Sequence, residues 1–158
     1  MLDDCQMLRD FNVNRFFSIL IVVVLFAPQT TWADDNQAGL TYWNGIDKEA
    51  ITTSSGLQYK ALITGTGRKP KSNSRVIVHY RGLLLNGVTF DSSYEDDEPI
   101  PLSLKSVIKG WQEGVPLMPI GSVFIFLIPP ELAYGDRKSG HIPPNSTLIF
   151  EIELFGIK

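Results

Sequence analysis

With 158 residues, 44% of them apolar and 20% charged, the chain has material for one hydrophobic core but not for two. Its formal charge of −3 supplies no electrostatic hold on nucleic acid and no strong acidic bias. The single cysteine, Cys5, stands near the N-terminus, so no disulfide framework and no thiolate chemistry are expected in the body of the protein.

Residues 1–33 read as a signal peptide. Arg9 and Arg15 precede the apolar run Phe16–Ala27, Pro28 follows it, and Thr31-Trp32-Ala33 sets small residues at the −3 and −1 positions of a cleavage site. The run is shorter than the ~20 residues a membrane span needs. Cleavage after Ala33 is therefore expected, and Cys5 leaves with the leader. An uncleaved anchor is the alternative, favoured by the acids Asp3, Asp4 and Asp10.

Residues 34–55 are polar, with Gly39, Gly45 and the cluster Thr52-Thr-Ser-Ser55, and read as a linker or N-terminal arm. Tyr42, Trp43 and Ile46, its large apolar groups, are expected to dock loosely on the domain that occupies 56–158. Strands are expected over Leu57–Ile63, Arg75–Leu85, Val88–Phe90, Ile100–Leu104, Ser122–Ile128 and Thr147–Phe155. Asn86-Gly87 signals a hairpin, because both turn positions tolerate positive φ. Ser106–Gly114 is the helix candidate, Ser106 capping it and Val107, Ile108 and Trp111 sharing a face. In the last strand Glu151 and Glu153 point outward, and Phe150, Ile152 and Leu154 are expected to be divided by the pleat or a bulge. The fold class is α+β: five or six mostly antiparallel strands and one short helix.

Most covalent and metal chemistry is excluded. His79 alternates with its neighbours inside a strand and reads as a structural histidine. His141 sits in a Gly-Pro loop without a second histidine or a carboxylate pattern. There is no nucleophile elbow, and Gly65–Ser72 fits neither phosphate-loop spacing. Glu95–Glu98 lacks the alternation of a calcium loop and reads as a solvated turn. Asn145-Ser-Thr147 matters only in a eukaryotic secretory pathway. What remains is a set of aromatics beside loops: Tyr80, Phe90, Trp111, Phe126, Tyr134 and Phe150. Core packing explains any one of them alone.

Their neighbours decide the matter. Ser55-Gly-Leu-Gln-Tyr59, Val78-His-Tyr80 through Gly82, Asn86-Gly87, Phe90-Asp-Ser-Ser93, Val107-Ile108 with Gly110-Trp111, Ala133-Tyr-Gly135 and Ile142-Pro-Pro144 follow one another in the order found in the FKBP-type peptidyl-prolyl isomerases. From about Thr53 to Ile157 the chain resembles that family, and the leader and Ser-Gly-Leu-Gln-Tyr start look most like its exported bacterial branch, which includes the macrophage infectivity potentiator proteins. The resemblance implies a curved antiparallel sheet wrapped around a short helix, with an apolar cavity between them. It implies Trp111 as the cavity floor, Tyr80, Phe90, Val107, Ile108, Tyr134 and Phe150 as its lining, and Asp91 beside it. Ile142 then belongs to an overhanging loop with His141 next to it, and the Ile108 N–H and Tyr134 hydroxyl donate hydrogen bonds to ligands.

The activity so implied is cis/trans isomerisation of X-Pro bonds in exported proteins, in the bacterial periplasm and without cofactor or metal. Proline-containing unfolded or folding chains are the expected partners, macrolides the expected inhibitors, and a monomer the expected state. A non-catalytic periplasmic chaperone or binding module on the same fold is the alternative. Asp96 stands where the family often has Arg, Ile100 where an aromatic is common, and His141 at a frequently aliphatic position. These departures bear on substrate preference and drug affinity.

Overall fold

The computed structural model describes residues 43–44, 47–95 and 98–158. The expected leader, Tyr42, Ile46 and the centre of the acidic run Glu95–Glu98 lie outside the described residues. No described helix is long and apolar enough to cross a membrane.

The period-two pattern folds as expected into an antiparallel sheet. Its strands are β1 (Ile51–Thr52), β2 (Gln58–Ile63), β3 (Arg75–Leu84), β4 (Thr89–Ser92), β5 (Ile100–Ser103), β6 (Val123–Ile128) and β7 (Leu148–Ile157). They lie in the order β1-β2-β6-β7-β3-β4, with β5 also pairing to β3. The two-residue β1 is the strand the sequence pattern does not announce.

β3 and β7 form the longest ladder, and their apolar residues explain its central place. Val76 and Val78 of β3 and Leu148, Phe150, Ile152 and Leu154 of β7 are buried on one face, together with Phe124, Phe126 and Ile128 of β6. Phe150, Ile152 and Leu154 thus share a face rather than being divided. The irregularity falls later, between the pairs Ile77↔Gly156 and Val78↔Leu154, where Phe155 is the extra residue and stands 46% exposed.

Helix α1 (Lys109–Gly114) lies against this face. Gly110 and Gly114 make the close approach possible, since a Cβ at either would meet Ile128 Cγ2 or Phe126 Cε1 at 2.5 Å. The helix begins later than the sequence suggests. Ser106 ends a 3-10 turn, Leu104–Ser106, and its hydroxyl donates back to the Ser103 carbonyl instead of capping. Ile108 is the residue at the N-cap, with extended ψ and no side-chain cap. At six residues the helix depends on the sheet for its stability.

The hairpin expected at Asn86-Gly87 joins β3 and β4. Gly87 N–H donates to the Leu84 carbonyl and Leu84 N–H to the Val88 carbonyl, each at 2.9 Å, closing a three-residue loop, Leu85–Gly87. Only Gly87 needs positive φ (83°), while Asn86 uses its side-chain oxygen to accept from Val88 N–H.

The opposite face carries a second cluster. Trp43 is 3% exposed and packs with Ile125 and Ile149, flanked by Ala50, Leu83, Leu85 and Leu127. The docking of Trp43 is therefore tight, not loose. His79 is buried on this same outer face, stacked on Tyr94 at 4.5 Å and joined through Nδ1 to Ser93 Oγ at 2.8 Å.

Candidate functional site

Four segments far apart in sequence meet at one end of α1. Tyr80 comes from β3, Phe150 from the adjacent β7, Trp111 from α1, and Asp91 from β4. The rings contact edge to face: Tyr80 and Trp111 centroids are 5.2 Å apart at 87°, and Trp111 and Phe150 are 5.3 Å apart at 89°. Such geometry sets the positive edge of one ring on the negative face of the next. The three line a cleft of about 410 Å³ with Asp91, Leu102, Ser106, Val107, Ile108 and Tyr134.

Gly82 is what lets the aromatic layer close. A Cβ there would stand 2.7 Å from Phe90 Cζ and 2.8 Å from Phe150 Cε1. Without it, Phe90 packs edge to face on Phe150 at 5.5 Å. Phe90 is not among the residues lining the cleft but adjoins it through Phe150. Ile142, 5% exposed, is packed into the main core, and His141 beside it is exposed and outside the lining. The cleft brings together Tyr80, Asp91, Val107, Ile108, Trp111, Tyr134 and Phe150 of the residues expected from sequence.

Two lining residues were not expected. Leu102 sits on β5, whose alternation placed it on a sheet face but not at the cleft. Ser106 looked like a helix cap. The strand β5 brings Leu102 to the cleft and the 3-10 turn that follows it brings Ser106.

Tyr80, Asp91, Ser106 and Tyr134 bring polar groups to the lining. The Tyr80 hydroxyl donates to Asp91 Oδ2 at 2.7 Å. Burial pushes the Tyr80 phenol well up from its ordinary value near 10, and the Asp91 hydrogen bond and charge push it the same way. Tyr80 is thus held as a neutral donor. The β3–β4 edge is fixed by Ser93, whose N–H donates to the Tyr80 carbonyl at 3.0 Å and whose Oγ accepts from Tyr80 N–H at 2.8 Å.

A second cleft, about 470 Å³, lies on the outer face between Arg81, Thr89, Ser92, Tyr94, Glu95 and Glu151. It is slightly larger but has a different character. The Arg81–Glu151 ion pair, 3.3 Å, borders it, and Tyr94 is the one aromatic among its lining residues. The aromatics of its lining, Tyr80, Trp111, Tyr134 and Phe150, rather than volume, mark the first cleft as the candidate site.

Residues 66–155 match the model of the family described as FKBP-type peptidyl-prolyl cis-trans isomerase. The chain belongs to that family. This FKBP-type domain is 50% identical over 112 residues to an FKBP-type peptidyl-prolyl cis-trans isomerase, FkpA, of Aeromonas hydrophila, covering 70% of this chain and 42% of the relative. It is 47% identical over 108 residues to the peptidyl-prolyl cis-trans isomerase Mip of Coxiella burnetii, covering 68% and 47%. The crystal structure of FkpA from Escherichia coli superposes with a TM-score of 0.69 at 43% identity, over 76% of this chain and 57% of that one. A peptidyl-prolyl cis-trans isomerase from Pseudomonas syringae gives 0.66 at 36% identity, over 77% and 91%. The chain spans about half the length of the curated relatives it matches.

Proposed function

We propose that the protein is a peptidyl-prolyl cis/trans isomerase that accelerates X-Pro rotation in exported proteins. The observation that carries this reading is the cleft: Tyr80, Trp111 and Phe150 in mutual contact, with Val107 and Ile108 beside them. A planar X-Pro amide is held by resonance behind a barrier of roughly 18–20 kcal/mol. Twisting removes the resonance and makes the amide less polar. An apolar aromatic enclosure therefore favours the twisted amide over the solvated planar one, and catalysis is differential binding without a nucleophile.

In this reading Trp111 is the floor, Tyr80 and Phe150 are walls, and Phe90 supports Phe150. The Ile108 N–H and Tyr134 hydroxyl orient substrate carbonyls, and Asp91 fixes the Tyr80 hydroxyl. Ile142 anchors the loop whose outer residue, His141, touches the flanks of a long substrate. The catalytic unit is 56–158, behind an arm at 34–55 and a leader at 1–33 that directs export to a bacterial periplasm. Macrolides compete for the same cleft, and the mature protein acts as a monomer.

The test is expression of the full chain in a Gram-negative host, followed by fractionation and a proline-limited peptide assay with and without a macrolide. Expected are a periplasmic product beginning at Asp34, acceleration that the macrolide abolishes, and monomer mass by light scattering. Macrolide binding without acceleration would leave a binding module. An intact leader in the membrane fraction would replace export by anchoring.

A further inference from the structure

The segment entering α1 contains a hydrogen bond that the proposed chemistry does not use directly. Gln112 Nε2 donates to the Val107 carbonyl at 2.8 Å, in a partly buried position. Gln112 N–H meanwhile donates to the Ile108 carbonyl at 3.1 Å, as does Trp111 N–H at 3.0 Å. One glutamine therefore holds the chain on both sides of the Val107–Ile108 peptide.

That peptide is a single planar unit, with the Val107 C=O at one end and the Ile108 N–H directed oppositely at the other. Fixing the carbonyl fixes the direction of the N–H. A donor on the carbonyl also polarises the amide and strengthens the N–H as a donor. The Ile108 N–H has no acceptor among the described residues, and Val107 and Ile108 both line the aromatic cleft. A half-buried N–H left without an internal partner calls for one from outside.

The residue type matters. Gln112 is the fourth residue of the helix counted from Lys109, within reach of the entering chain. A carboxylate there could only accept, so it would repel the Val107 carbonyl and compete for the Ile108 N–H. An amide can donate to the carbonyl and leave the N–H free.

We propose that Gln112 is a positioning residue: its side-chain amide locks the Val107–Ile108 peptide so that the Ile108 N–H is presented, unpaired, to the carbonyl of a substrate in the cleft. The activity arm of its test rests on the isomerase reading; the spectroscopic arm does not.

The experiment compares the full chain with Gln112→Met, which keeps length but cannot donate, Gln112→Glu, which can only accept, and Gln112→Lys, which restores a donor. Circular dichroism establishes that each is folded. The amide resonance of Ile108 is followed by nuclear magnetic resonance, and kcat and KM are measured on an X-Pro tetrapeptide. Expected is a displaced, faster-exchanging Ile108 amide in the Met and Glu variants. Their kcat/KM falls about fivefold, the effect of one neutral hydrogen bond, and the change lies mainly in KM. Lys recovers both signals at least in part. An Ile108 resonance unmoved by Gln112→Met overturns the inference whether or not the protein is active. So does a moved resonance with unchanged KM in an active protein, or an equal loss in all three variants. A wild-type chain without isomerase activity removes the isomerase reading, and the displaced Ile108 amide then still decides the positioning role.

Discussion

Gly82 is the residue on which the aromatic layer depends. It is buried in β3, opposite Asp91 on one side and Phe150 on the other, with ring atoms of Phe90 and Phe150 occupying the space a side chain would take. Gly82→Ala has to push aside two rings that are themselves packed. Overpacking of this kind costs about 1–3 kcal/mol. The denaturant midpoint is expected to fall accordingly, and isomerase activity to fall further than stability explains, because Phe150 is a cleft wall. An alanine variant with wild-type midpoint and activity would mean the rings repack freely. Tyr80 gives a second expectation at this scale. Its phenol is raised in the fold, so below pH 10 both folded and unfolded chains keep the proton and nothing changes. Above about pH 10 the unfolded chain releases it first, and stability drops with rising pH until the folded phenol also ionises. Tyr80→Phe is expected to make the stability profile shallower between about pH 10 and 12. Urea titrations at several pH values check it, and parallel profiles for the two proteins would contradict it.

Among the elements, those with strong local signals were legible in the sequence and those decided by packing were not. The strands followed from alternation, and β3 and β7 stood out through their β-branched and aromatic residues. Local motifs around Tyr80, Asp91, Val107-Ile108, Trp111 and Tyr134 carried most of the cleft. The start of α1 was misjudged because the Ser106 hydroxyl has a competing local acceptor, the Ser103 carbonyl. Phe90 was expected in the cavity lining and Ile142 in an overhanging loop; Phe90 packs edge to face on Phe150 next to the lining, and Ile142 is buried in the main core. Trp43 lay in a polar stretch with no periodicity, so its burial depended on the unfilled outer face of β6 and β7. That burial is testable. Trp43→Ala empties the centre of the outer cluster, and truncating a buried Trp costs about 3–5 kcal/mol. The cluster lies across the sheet from the cleft, so kcat/KM in the folded variant is expected to stay at wild type. A loss of activity measured well below the unfolding transition would tie the two faces together.

At the scale of the whole molecule, the sheet separates two environments. One face holds the helix and the aromatic cleft; the other holds His79, Arg81, Glu151 and Glu153 with the Trp43 cluster. Histidine is the side chain whose ordinary titration falls between about pH 5 and 8. Both histidines are kept from the cleft lining: His79 is buried on the outer face against Ser93 and Tyr94, and His141 is exposed in its loop. Within the lining, the Tyr80 phenol is pushed upward by burial first and by Asp91 second, away from neutrality. A site working by enclosure of a twisted amide then has no group that must gain or lose a proton during turnover. The isomerisation rate is expected to be nearly flat between about pH 5.5 and 8.5. His141→Ala is expected to leave the flat profile in place and to alter substrate preference only modestly. On the proposed reading, in which enclosure rather than charge lowers the barrier, Phe150→Ala and Tyr134→Ala are expected to cost more than Asp91→Asn. Rates measured across that window on a single X-Pro tetrapeptide decide the matter. A steep bell-shaped profile, or a folded His141→Ala variant without activity, would replace enclosure by proton transfer as the source of the rate.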